Sequence, residues 1–389
     1  MEYFLLNYQY NICYTILDSI KGRSDIVHLS INQQEIGKSK SKQNKLFQTM
    51  YDVSCCALCG KNIRENGRAF NKSHTVPLFC LENIKSEHNK KVGVLNGNYC
   101  TLNTPFSAEV FTGVNNAGIF YSICDECDHE KFQNYENEEA MLTKDPTELL
   151  DSIAVKIYLK ELYDAKFKLF KTKMNSKDIT EDELIRNFLN AENKVHGTVS
   201  DVDVRDFSND LDFALRSFNN HYCNYRLFYH RILDYTVPMA AQLQIPISRN
   251  VDYSKLQDVT TYNNKRLEDI LLCIFPLKKN SLILLFTRID NKKIKKYIQQ
   301  FNKLSEEDKL REVMYLPIRY QNSKFFFSPL IADVLKNENI LGIGSMEDSC
   351  FRSNNISFSV ADFEDRNWKQ SMPLILSEQY SMQNLRNKR

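Results

Sequence analysis

The strongest periodic signal follows Asp145-Pro146, where LLDSIAVKIYLKELYDAKFKLFKTKM sets Leu150, Ile153, Ala154, Ile157, Tyr158, Leu162 and Ala165 on one face at helical spacing. That spacing predicts a long amphipathic helix. Thr180-Glu181-Asp182-Glu183 has the form of a capping box and opens a second helix through LIRNFLNAENK. DFALRSFNNHYCNYRLFYHRILDY continues the helical pattern until Pro238 and Pro246 break it.

From about residue 267 the texture changes to short apolar runs. LEDILLCIFPL and SLILLFTRI, separated by Lys278-Lys279-Asn280, read as a hairpin in a small sheet. Two helices are expected next, NKKIKKYIQQFNKL and SEEDKLREVMYLPI, the second with Ser305 as N-cap and Glu306, Glu307 and Asp308 in its first turn. LGIGS at Leu341 to Ser345 reads as a turn, and FSVADF as a strand. Before residue 140 the pattern is different. Residues 1–54 offer a strand or two and a basic linker, and residues 55–140 are rich in Gly, Asn, Ser and Cys with few periodic runs. Such a texture suits a module in which metal ligation substitutes for a core.

With 389 residues, two or three domains are expected. The division read here is 1–54, 55–140 and 141–389. The fold class is α+β: a zinc-stapled module, then a mainly helical region and a small mixed α/β portion. Hydrophobic content of 42% excludes general disorder. No apolar run reaches the roughly 20 residues of a membrane span. The apolar start lacks a basic lead and is interrupted by Asn7, Gln9, Asn11 and Asp18, so a cytoplasmic, reduced protein without membrane partners is expected.

In that setting eleven cysteines point to ligation rather than disulfides. CALC (Cys56, Cys59) and CDEC (Cys124, Cys127) each offer two thiolates to one tetrahedral ion, with Gly60 in the first knuckle. Structural Zn²⁺ on these four cysteines is the reading, with Cys55, Cys80 and Cys100 as possible substitutes. Cys13, Cys223, Cys273 and Cys350 are read as small buried hydrophobes.

Between the pairs stands Ser73-His74-Thr75-Val76-Pro77, and after them Asp128-His129-Glu130-Lys131-Phe132 runs on to Tyr135-Glu136. This outline resembles the cysteine-rich branch of the HNH endonuclease superfamily over about residues 55–140. The resemblance implies a treble-clef, ββα-metal nuclease site. His74 would be the general base, and Asp128, His129 or Glu136 the ligands of a catalytic Mg²⁺ or Mn²⁺. It also implies a restriction or anti-phage effector acting on DNA or RNA. The family pattern places Asp or Glu just before the His, and here Ser73 stands there, a poor Mg²⁺ ligand. A non-catalytic zinc module that recognises nucleic acid or a protein partner is therefore the alternative. A cluster containing Lys292, Lys293, Lys295 and Lys296 is the candidate phosphate-binding face, although the net charge is only +2.

Overall fold

The computed structural model describes residues 55–62, 72–96, 107–175, 201–220, 223–259, 266–320, 324–345 and 358–388. The N-terminal strands and basic linker, the Thr180 capping box, Cys13, Cys100 and Cys350 lie outside them.

Nine strands are described: β1 (Ser73–His74), β2 (Lys91–Asn96), β3 (Ser107–Gly113), β4 (Ile119–Phe120), β5 (Tyr225–Leu233), β6 (Met239–Ile245), β7 (Ile270–Pro276), β8 (Ser281–Arg288) and β9 (Phe325–Phe327). The helices are α1 (Leu78–Ile84), α2 (Asp125–Phe132), α3 (Glu138–Thr143), α4 (Leu150–Asn175), α5 (Asp201–Asn220), α6 (Lys295–Asn302), α7 (Glu306–Arg319), α8 (Glu338–Ser345), α9 (Phe358–Ser371) and α10 (Met382–Asn387). Seven strands form one antiparallel sheet in the order β3-β2-β9-β6-β7-β8-β5, while β1 pairs with β4 apart from it.

Alternation along the central strands divides the core in two. Leu271, Cys273 and Phe275 of β7, with Leu282, Leu284 and Phe286 of β8, face one apolar cluster. Ile270, Leu272 and Ile274, with Ile283 and Leu285, face the other. Helices cover both faces, which explains why β6, β7 and β8 are buried along their whole length. The first cluster includes Leu81 and Ile84 of α1, Phe132 of α2, and Ile153, Ala154, Ile157 and Tyr158 of α4. In the second, Tyr297 and Phe301 of α6 meet Val313 and Ile318 of α7 and Ile340 and Ile343 of α8.

Several expectations change. The sheet is central and seven-stranded rather than small, and the mainly helical region is interrupted at β5. YRLFYHRIL is a strand because it pairs with β8 from Tyr225↔Arg288 to Leu233↔Ser281. Its aromatic and β-branched content fits a half-buried edge once that partner exists. LGIGS ends helix α8 rather than making a turn. Ile340 and Ile343, three apart, are both fully buried, so packing overrides the glycines' poor propensity. FSVADF begins α9, whose later residues Asp365 and Lys369 are tied to Tyr315 and Glu312 of α7. Cys223 is exposed, whereas Cys273 is buried as expected.

Other elements follow the pattern. The Ser305 hydroxyl caps α7 by accepting from the Asp308 N–H at 3.1 Å. Helix α4 and the Lys278-Asn280 hairpin occur as expected. Strands β2 and β3, which belong to residues 55–140, join the large sheet through Gly93↔Phe327, so no break in the sheet coincides with residue 140. Among the described residues no helix is long and apolar enough to cross a membrane.

Candidate metal centre and the adjoining charged pocket

The first CxxC forms a tight turn: the Gly60 N–H donates to the Cys56 carbonyl at 2.9 Å, and Gly60 takes a φ of 67°. Glycine meets that left-handed backbone at least cost. The Cys56 N–H donates to the Lys61 carbonyl, and Cys55 bridges to Asn62, closing the turn into a knuckle. The second CxxC opens α2, with Cys124 at its N-cap and Cys127 in its first turn. There the helix dipole and free N–H groups favour a thiolate. The two parts touch: the Ala57 N–H donates to the Ser122 carbonyl at 2.8 Å, and the Cys124 N–H points at the Cys56 sulfur at 3.3 Å.

The four sulfurs lie within 4.8 Å of one another, and Cys59 and Cys124 are 3.9 Å apart. A tetrahedral ion with Zn–S bonds of about 2.3 Å needs sulfurs about 3.8 Å apart, so the donor set fits zinc. Cys55 and Cys80 stand outside this group; Cys80 is fully buried elsewhere in the core. Burial pushes the Cys127 thiol up and neighbouring sulfurs push it further, while burial also raises Cys124, with hydrogen bonds from Cys127 opposing the rise and Cys56 adding to it. Burial also raises Cys56, but hydrogen bonds from the Cys59, Cys124 and Leu58 backbone outweigh it and leave that thiol below its ordinary value. A bound cation would hold all four as thiolates.

Beside this centre, α2 carries Asp128 back to β1. The Ser73 hydroxyl donates to Asp128 Oδ1 at 2.8 Å. Lys156, on α4, is fully buried and donates from Nζ to Asp128 Oδ1 at 2.6 Å and to Glu136 Oε1 at 2.7 Å. Its ammonium also lies 4.2 Å from the centroid of the Phe132 ring. Burial raises the Glu136 carboxyl above its ordinary value, although Lys156 opposes the rise.

His74 is half-buried on β1. Burial lowers its imidazole below the usual value, and Lys156 and Lys72 lower it further, against a hydrogen bond to the Val114 backbone and the charge of Asp128. A neutral ring follows near pH 7. Its Nε2 is buried and has no hydrogen-bond partner among the described residues.

Thus Ser73, Asp128 and Glu136 converge with His74 nearby, whereas His129 is exposed on α2 and does not join them. Apart from the four cysteines, no group of three or more His, Cys, Asp or Glu side chains comes close enough to hold an ion among the described residues. Of the asparagines between the knuckles, Asn83 donates to the Pro276 carbonyl and Asn116 accepts from Lys72. Lys292, Lys293, Lys295 and Lys296 are all exposed, but beside Ile294 and Tyr297, which belong to the core cluster on the opposite face of the sheet. Lys296 is 3.5 Å from Asp252 there. Sequence reasoning missed Lys156. Its signal was a cation inside the apolar run SIAVKIYL, where a buried carboxylate partner is the physical requirement.

Comparison with protein-family models, curated proteins and solved structures finds no match to this chain.

Proposed function

We propose that the chain is a zinc-stapled binding protein without nuclease activity. Four cysteines hold a structural ion that organises a treble-clef-like knuckle, hairpin and helix. The observation that carries this reading is the Lys156 ammonium, fully buried and hydrogen-bonded to both Asp128 and Glu136. A catalytic Mg²⁺ needs carboxylates, open positions and several waters. The lysine instead offsets part of the two carboxylates' charge from within the protein. Ser73, in place of the expected carboxylate, agrees with that.

Nucleic acid is the partner proposed, contacted through Lys292, Lys293, Lys295 and Lys296; a protein partner is the other outcome of a binding test. A cytoplasmic setting fits the reduced thiols. The nuclease reading, with its restriction or anti-phage role, is favoured by one arrangement: the Ser73–Asp128 hydrogen bond beside a neutral His74.

The two readings separate in one experiment. Purified protein containing zinc is incubated with single- and double-stranded DNA and RNA, with and without added Mg²⁺ or Mn²⁺. The expected result is retention of nucleic acid without cleavage. Divalent-ion-dependent cleavage that His74→Ala reduces by about 10²–10⁴-fold, the usual worth of a positioned base, would overturn the binding reading.

A further inference from the structure

The four cysteines of the metal centre differ in their access to solvent. Cys56, Cys124 and Cys127 are buried, at 2%, 4% and 7% exposure, whereas Cys59 is exposed at the end of the knuckle turn. A reagent arriving from water therefore meets Cys59 first. When bound, the ion supplies the charge that holds this sulfur as a thiolate, the form that attacks oxidants.

A second sulfur stands within reach behind it. Cys124 Sγ lies 3.9 Å from Cys59 Sγ, so an approach of about 2 Å brings the pair to a disulfide bond length of about 2.05 Å. Cys56 is less available as the partner, because the backbone of Cys59, Cys124 and Leu58 hydrogen-bonds its sulfur. Cys55 is exposed too, but it lies outside the four-sulfur group.

The pair joins two pieces of the module, since Cys59 belongs to the knuckle and Cys124 is the N-cap of α2. Contacts that use no sulfur hold those pieces together. The Ala57 N–H donates to the Ser122 carbonyl at 2.8 Å, and the Lys61 ammonium donates to Glu126, in the first turn of α2, at 3.0 Å. Cys59 and Cys124 are thus kept opposite each other by more than their shared ligation.

We propose that Cys59 and Cys124 form a peroxide-sensitive switch, in which a hydroperoxide oxidises Cys59, a disulfide to Cys124 replaces the metal bridge, and zinc is given up. The switch rests on the zinc centre proposed above and adds its regulation. With hydrogen peroxide as the oxidant, the Cys59 thiolate attacks one oxygen: an S–O bond forms, the O–O bond breaks, and hydroxide leaves. Cys59 is then a sulfenic acid. The Cys124 thiolate attacks that sulfur, the S–S bond forms, the S–O bond breaks, and a second hydroxide leaves. Two thiolates have lost two electrons, and two protons from water turn the reduced peroxide into water. Cys56 and Cys127 alone remain, too few ligands for a structural zinc site.

Treating full-length zinc-loaded protein with hydrogen peroxide while a chromogenic chelator reports released zinc tests it. The product is then alkylated, digested without reductant and mapped by mass spectrometry. The expected result is loss of about one zinc per chain together with a peptide pair linked through Cys59 and Cys124. A dithiol reductant with added zinc should restore the metal, because a disulfide is a reversible product. Cys55→Ser leaves all four ligands in place and should release zinc at the wild-type rate. Protein that holds no zinc before treatment overturns the metal centre and the switch together. In protein that holds it, retention under peroxide, loss without the Cys59–Cys124 link, or protection by Cys55→Ser overturns the switch alone.

Discussion

Replacing Lys156 by Met keeps most of the side-chain volume and removes the charge. The wild-type ammonium makes two short charge-assisted hydrogen bonds, 2.6 Å to Asp128 and 2.7 Å to Glu136, with no exposure of its own. Breaking a buried pair from one side typically costs about 3–5 kcal/mol, because the partner charges stay behind. Glu136 retains 28% side-chain exposure and can be partly rehydrated, so the lower end, about 3 kcal/mol, is expected. The loss should depend on pH in a definite direction. Burial already holds the folded-state value of Glu136 above its unfolded one, and without Lys156 it rises further. A raised carboxyl lowers stability as pH climbs from the unfolded value through the folded one. The gap between wild type and Lys156→Met is therefore largest at about pH 8 and narrows towards about pH 5.5, as Glu136 takes up a proton. Denaturant unfolding of both proteins at the two pH values, with zinc content checked, measures it. A gap under about 1 kcal/mol, or one equal at both pH values, refutes the assignment of Lys156 as the counter-charge.

Purified protein should carry about one zinc per chain, as a single four-thiolate site requires, and Cys59→Ser and Cys124→Ser should each be metal-poor and poorly folded. Full occupancy in both would place the ligands elsewhere. Changing Lys292, Lys293, Lys295 and Lys296 together to Gln should flatten the dependence of nucleic-acid affinity on salt by up to about four counterions, and an unchanged slope leaves them as a solvated face. Gly118 has a φ of 62°, and an added Cβ would stand 2.6 Å from both Phe326 Cζ and Thr75 Cγ2, so Gly118→Ala should cost about 2–5 kcal/mol in thermal or denaturant unfolding. Gly60→Ala meets open space and should cost only the backbone strain, about 1–2 kcal/mol; equal losses would contradict the packing described around Gly118.

The sequence made legible what depends on local spacing. Two CxxC pairs identify the four sulfurs, Ser305 identifies a helix start, and Leu150 to Ala165 identify the face of α4. What depends on partners distant in the chain was not legible. YRLFYHRIL satisfies a helical pattern as readily as a strand, and only its ladder with β8 decides between them. FSVADF alternates over too few residues to be told from the first turns of a helix that α7 stabilises through Asp365 and Lys369. Lys156 was hidden for a related reason. Its meaning lies in carboxylates 20 and 28 positions away, which only folding brings to the same ammonium.

The hairpin of β2 and β3 lies in the chain between the two cysteine pairs, yet it forms one end of the large sheet. Closing the metal site thus closes a loop, and the end of the sheet is inside that loop. The conformational entropy lost in bringing Cys59 to Cys124 grows only slowly with the 64 residues between them, and it is shared with the strand pairing of the hairpin. Order of assembly follows: whichever forms first, clasp or hairpin, shortens the search for the other. An ion held by the four cysteines would therefore set how fast the strands that bear none of its ligands find their register.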